Sequence, residues 1–191
     1  TTTSMGVKAA KIAIERSRVA NEDIDFIVFA TISPDFYFPG PGVALQKELG
    51  LKTIGALDIR NQCSGFIYAL SVADQYIKTG MYKNILVIGS EVHSTGLDMT
   101  TRGRGVSVIF GDGAGAVVLQ PTQNENQGIL STHLHSDGDS AEILAMYNPG
   151  THANHWKEEK YADFDEAEIA QMFFSHAMID NGQIFPNLDG P

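Results

Sequence analysis

The spacing of apolar positions changes several times along the chain, and each change marks an element. MGVKAAKIAIERS (Met5–Ser17) repeats at helical spacing, which predicts a helix capped by Ser4 with Met5, Ala9, Ile12 and Ala13 on one face. DFIVFATIS (Asp25–Ser33) then runs apolar without a break and is rich in β-branched and aromatic residues, as a buried strand is. A proline-punctuated aromatic loop, PDFYFPGP, leads into a short helix, GVALQKEL, which Gly50 stops. The alternation repeats with a buried strand in TIGALDI and a helix in SGFIYALSVADQYIKTG, where Phe66, Leu70, Ala73 and Ile77 form one stripe and Gly80 ends it. NILVIGSEV predicts a third strand. VSVIFGDGAGAVVLQP predicts two strands meeting at a glycine-rich junction, and GILSTHLHSDG a further one.

This order implies an α/β fold, with a largely parallel sheet covered on both faces. From Asp139 onward the pattern dissolves into polar, acidic, loop-rich sequence with one helical stretch, EAEIAQMFFSHAMI, so residues 1–138 and 139–191 form separate regions. The chain opens almost inside a helix and ends at PNLDGP, which predicts a piece of a larger fold. Composition narrows the class. At 191 residues and 43% apolar, a real core is possible. A formal net charge of −10 disfavours nucleic acid as a partner. The acidic run Glu158–Glu168 reads as a solvated face. No apolar stretch has the length of a membrane span, and the opening TTTSMGVKAA lacks a secretory pattern, so the expected location is cytoplasmic with no membrane contact.

Cys63 is the single cysteine, which excludes an internal disulfide framework and a multi-thiolate zinc site. It lies in NQCSG, where a strand ends and a helix begins. Backbone N–H groups and the helix dipole converge there, favouring a thiolate. Small neighbours, Ser64 and Gly65, leave room for a substrate carbonyl. A buried space-filling role is the alternative, and placement favours a nucleophile. GDGAGA (Gly111–Ala116) lacks the strand-then-helix context of a dinucleotide fingerprint and the Lys-Ser/Thr of a P-loop, leaving a close-packed junction. His133 and His135 would share a strand face, but nothing nearby completes a metal site. His93, just after a strand, is placed to line a pocket. Arg102 and Arg104 form a basic island in an acidic chain, either an anion site or an ordinary surface loop. The loop Phe36–Phe38 either packs under its own prolines or serves as an interface or acyl-pocket element, and an interface is the favoured reading.

These segments together, from MGVKAAKIAIE through ATISPDFYFPGP, DIRNQCSGFIYALSVADQYIKTG, ILVIGSEV and RGVSVIFGDGAGAVVL to STHLHSDG, resemble β-ketoacyl-acyl carrier protein synthase III, a thiolase-superfamily condensing enzyme. The resemblance covers roughly Thr3–Gly138. It implies a thiolase-like fold of α-β-α-β-α layers made of two similar halves and active as a homodimer, with this chain supplying most of the first half. It implies that Cys63 takes an acyl group from an acyl-CoA primer, expected to be acetyl-CoA, for condensation with malonyl-acyl carrier protein, with no cofactor. By the same resemblance Phe38 enters the partner subunit's acyl pocket, Phe110 lines a pocket, and either Arg102 or Arg104 packs on the CoA adenine. His93 stands where the family often has an apolar pocket residue. The histidine and asparagine that promote decarboxylation are expected beyond residue 191, as is a basic surface to dock the acidic carrier protein. A relative of secondary metabolism with another primer, or a non-catalytic dimer partner, is the alternative.

Overall fold

The computed structural model describes residues 1–146, 180 and 185–188; the expected helix EAEIAQMFFSHAMI and the acidic run lie outside them. Helix α1 spans Thr2–Ser17 and begins earlier than the sequence suggests. Thr1 is the cap, accepting from the Ser4 N–H at 3.2 Å, while the Thr1 amino group donates to Ser4 Oγ at 3.0 Å. Ser4 therefore serves the third position of a reciprocal capping box. The buried face also differs. It is Thr3, Gly6, Val7, Ala10 and Ile14, whereas Ile12 is half exposed. Gly6 is the reason: a Cβ there would stand 3.0 Å from the Phe29 ring, so the glycine lets the helix lie close on the sheet. The residues sharing its face go inward with it.

Strands β1 (Phe26–Ala30), β2 (Gly55–Ile59), β3 (Ile85–Glu91) and β4 (Gly113–Leu119) form one sheet in the order β2-β1-β3-β4. β1 runs parallel to both β2 and β3, and β4 is antiparallel to β3. Parallel neighbours need a crossover. Helices α2 (Pro41–Glu48) and α3 (Gly65–Lys78) supply them. On one face, Val7, Ala10 and Ile14 of α1 and Leu45 of α2 pack with Ile27, Phe29, Leu86 and Ile88. On the other, Ala69 and Ala73 of α3 pack with Val28, Ala30, Ile85 and Val87. The predicted stripe of Phe66, Leu70, Ala73 and Ile77 faces this second core.

Three expectations need correction. β2 is only half buried, because it is the margin of the sheet and not its centre. VSVIF is no strand: Arg104–Ser107 forms a single helical turn, α4, closed by the Ser107 N–H on the Gly103 carbonyl at 2.9 Å. Local bonding around the two glycines wins over β propensity there. GILSTHLHSDG pairs with no strand among the described residues, and β-branched composition does not make a strand without a ladder. The glycines of GDGAGA are likewise open, since a Cβ at Gly111, Gly113 or Gly115 would meet nothing within 4 Å.

The chain divides into two compact units. Thr1–His93 with Gly111–Leu134 holds the sheet and its three longer helices, and Ser94–Phe110 with His135–Pro191 forms the other. The second unit carries α4 and a short antiparallel pair, β5 (Leu144–Ala145) with β6 (Asn187–Leu188). Among the described residues no helix is long and apolar enough to cross a membrane.

Candidate active site

Because β1, β2 and β3 are parallel, the segments that leave their carboxyl ends all emerge at one edge of the first unit. That edge is where open α/β sheets bind ligands. Cys63 stands on one of these segments, in a tight turn, Gln62–Ser64, between β2 and α3. Gln62 has φ 46, a left-handed conformation uncommon for a residue with a Cβ. A sharp strand-to-helix turn of this kind thrusts its central side chain outward. The Ser64 hydroxyl stiffens the turn, donating to the Asn61 carbonyl and accepting from Asn61 Nδ2, both at 3.1 Å. Cys63 is exposed, so it fills no core. It directly precedes Ser64, the N-cap of the 14-residue helix α3, at the end of that helix where unpaired N–H groups and the positive pole of the dipole lie.

The seat beneath α3 is built from small residues. A Cβ at Gly65 would lie 3.4 Å from Ala30 Cβ, and one at Gly89 would lie 3.1 Å from the Phe66 ring.

The aromatic loop leaves β1 at the same edge, with Phe36, Tyr37 and Phe38 exposed at 66%, 67% and 80%. Its flanks are tied down. Thr2 Oγ1 donates to the Ser33 carbonyl, and the Thr3 N–H donates to Asp35 Oδ1 at 3.0 Å. Glu91, at the end of β3, accepts from Thr31, Ile32 and Ser33. At the far end, Asp58 of β2 accepts from the Gly42 N–H at 2.8 Å and so caps α2. Burial beneath that helix start raises the Asp58 carboxyl above its ordinary value, and the Gly42 hydrogen bond opposes the rise. His93 follows β3 with its ring mostly buried. Its N–H donates to Asp112 Oδ1 at 2.8 Å, and its Nε2 lies 3.7 Å from Glu91 Oε2.

Phe38, Cys63 and His93 thus belong to the first unit, and Arg102, Arg104 and Phe110 to the second. Within the second unit the two arginines differ. Asp98 is buried and accepts from Thr100 Oγ1 at 2.6 Å, from the Thr100 N–H at 2.9 Å and from Arg102 Nε. The Thr100 hydroxyl first, then Arg102, hold its carboxyl down at about 2. Arg102 also donates to the Asp180 carbonyl and lies 5.9 Å from the Phe185 ring centroid. Arg104 is exposed and, among the described residues, makes no hydrogen bond or ion pair. Phe110 is half buried.

Glu91, Asp58 and Asp98 escape a motif search. Asp98 and Arg102 do carry the i,i+4 spacing of an ion pair, a signal present in DMTTR. The histidine pair of THLHSDG is exposed off any strand, and His133 Nε2 lies 3.3 Å from Ser131 Oγ. Among the described residues no three His, Cys, Asp or Glu side chains group as metal ligands do.

Comparison with known proteins converges on one family. Its profile, described as 3-oxoacyl-[acyl-carrier-protein (ACP)] synthase III, matches residues 57–138. The β-ketoacyl-[acyl-carrier-protein] synthase III 1 of Vibrio vulnificus is 46% identical over 158 residues, which are 82% of this chain and 49% of the relative. The corresponding synthase III of Sulfurimonas denitrificans is 43% identical over 155 residues, 81% of this chain and 46% of the relative. Among solved structures, 3-oxoacyl-[acyl-carrier-protein] synthase III of Aquifex aeolicus superposes with a TM-score of 0.74 at 41% identity, covering 78% of this chain and 48% of that one. The chain spans about half the length of the curated relatives it matches. Its α/β fold is thiolase-like over that half.

Proposed function

Since the chain belongs to the 3-oxoacyl-[acyl-carrier-protein] synthase III family, we propose that it carries the acyl-accepting part of a condensing enzyme, with Cys63 as the nucleophile. The sulfur of Cys63 attacks the thioester carbonyl of an acyl-CoA, in the simplest case acetyl-CoA. The bond from that carbonyl to the CoA sulfur breaks, CoA leaves as the thiol carrying the cysteine proton, and the acyl group remains on Cys63 as a new thioester. Malonyl-acyl carrier protein then loses carbon dioxide, and its carbanion takes the acyl group, releasing the Cys63 sulfur and a 3-oxoacyl-carrier protein. The energy of both steps is held in thioesters, so the chemistry calls for no cofactor. Cytoplasmic pools of CoA and carrier protein suit it.

The observation that carries this reading is the exposed Cys63 on a left-handed turn at the head of α3. The Cys63 N–H at that helix start supplies part of an oxyanion site. Of the two arginines, Arg104 is our choice for the CoA nucleotide, because Arg102 already holds Asp98 and the Asp180 carbonyl. His93 and Phe110 are each assigned a pocket-lining role on the family resemblance alone, and Phe38 reaches into the acyl pocket of a second copy in a homodimer. The test is to incubate the intact protein with radiolabelled acetyl-CoA and compare Cys63→Ala. Label that is lost in the variant and recovered on the Cys63 peptide is expected; equal labelling of both proteins ends the proposal.

A further inference from the structure

The carboxylate of Glu91 gathers its hydrogen bonds from one short stretch of chain, with His93 Nε2 3.7 Å from its Oε2. Its Oε1 accepts from the Ile32 N–H at 2.9 Å. Its Oε2 accepts from the Ser33 N–H and Thr31 Oγ1, both at 3.1 Å, and from Ser33 Oγ. All four donors come from three consecutive residues, the stem from which the aromatic loop departs. Ser33 Oγ also accepts from the Val92 N–H at 2.9 Å, so stem and strand end are knitted together. Only an acceptor-only group satisfies four converging donors, and a carboxylate is such a group. Glu91 is itself the last residue of β3, paired with Gly113 of β4, so the anchor stands on a rigid element. Three exposed aromatic side chains ride on this loop, whose flanks Thr2 and Thr3 also hold. Here their stem is fixed three residues before Phe36, which is the arrangement expected of a preorganised contact.

We propose that Glu91 is the positioning residue of the aromatic loop, and that by fixing where Phe38 is presented it sets which acyl primers react with Cys63. The selectivity part rests on the reading of Phe38 as an acyl-pocket element; the anchoring part does not. Glu91→Gln is nearly isosteric but turns an NH2 toward either the Ile32 N–H or the Thr31–Ser33 donors, opposing donor to donor.

In the intact protein, hydrogen exchange at the Ile32 and Ser33 amides of Glu91→Gln should accelerate about tenfold or more, with chymotryptic cleavage after Phe36 and Tyr37 rising in parallel. Alkylation of Cys63 by iodoacetamide should be unchanged. The ratio of acylation kcat/KM for acetyl-CoA to that for octanoyl-CoA should shift about fivefold or more, whereas a general loss of folded enzyme would lower both primers equally and leave the ratio alone. Unchanged exchange at Ile32 and Ser33 would overturn the anchoring. Faster exchange with an unmoved primer ratio would overturn the link to selectivity. If the unsubstituted protein takes no acyl group at all, the nucleophile reading fails by that result, and the exchange measurement still decides whether Glu91 anchors the loop.

Discussion

Replacing Arg104 and Arg102 one at a time separates a ligand-binding arginine from a bracing one. The guanidinium of Arg104 is exposed and uncommitted among the described residues, so nothing in the fold need break for it to meet a nucleotide. Stacking on an adenine at an exposed site is worth about 0.5–1 kcal/mol, and one exposed ion pair with a phosphate up to about 1 kcal/mol. Arg104→Ala should therefore lose about 1–2 kcal/mol of binding, which lowers kcat/KM for acyl-CoA about 5–30-fold. Maximal acylation rate and melting temperature should hold. Arg102→Ala should do the reverse. It strips Asp98 of its Arg102 partner, frees the Asp180 carbonyl and uncovers the Phe185 ring, so it lowers the melting temperature while KM stays within about twofold. The assay is initial-rate acylation of Cys63 across acyl-CoA concentrations, beside thermal melts. A second arm uses an acyl-pantetheine, which lacks the nucleotide. Arg104→Ala should leave its rate untouched, and added salt should narrow the gap between wild type and Arg104→Ala with acyl-CoA. A rise in KM from Arg102→Ala at unchanged melting temperature, with Arg104→Ala silent, would refute the assignment.

Other expectations concern stability. Gly6→Ala gains helix propensity of about 1 kcal/mol, but sets a Cβ 3.0 Å from the wholly buried Phe29 ring, where overpacking costs about 1–3 kcal/mol; urea denaturation should show a net loss that Phe29→Leu partly relieves. Gly103→Ala should be worse for the second unit, since its Cβ would meet the Asp98 backbone carbonyl, and limited proteolysis of the Ser94–Phe110 segment reads the damage. The Asp98 carboxyl titrates at about 2 in the fold against roughly 3.9 when unfolded. Its contribution is whole above pH of about 4 and lost as pH falls toward 2, and Thr100→Val, which removes the strongest hydrogen bond holding it down, should move that loss to higher pH in acid-unfolding curves. Asp58 has the opposite sign, its folded value being raised, so its ionisation penalises the fold as pH climbs. Asp58→Asn should match or exceed wild type at pH 7, and lose that advantage near pH 4. Asp58→Ala forfeits the cap on Gly42, about 1 kcal/mol by thermal melts.

Much of this was legible beforehand where one strong local signal decided the outcome. The unbroken apolar run of β1 and the stripe of α3 each left one arrangement open, and for the thiol at the strand-to-helix junction exposure removes the space-filling reading. Errors arose where a partner decides. The inward face of α1 is chosen by the fit of Gly6 on Phe29, a contact of residues far apart in the chain, while the periodicity of α1 alone also accommodates Ile12. VSVIF has strand composition, yet Gly103 and Gly105 allow a local turn whose hydrogen bonds need no neighbour. At the candidate site, the cysteine and the aromatic loop announce themselves by residue type. Glu91 does not, because a glutamate at a strand end gives no hint that four donors will converge on it.

The small residues under α3 govern how far Cys63 reaches. The helix approaches the sheet at two points, Gly65 over Ala30 and Phe66 over Gly89; a Cβ added at the first would make ordinary contact at 3.4 Å, and one added at the second a tight contact at 3.1 Å. A two-point bearing of this kind fixes height and tilt together. A side chain added at Gly89 would press on the Phe66 ring at the first turn of α3 and act as a wedge next to Cys63. On the proposed chemistry, the depth at which a substrate carbonyl meets Cys63 is thus tied to backbone spacing in the sheet under α3.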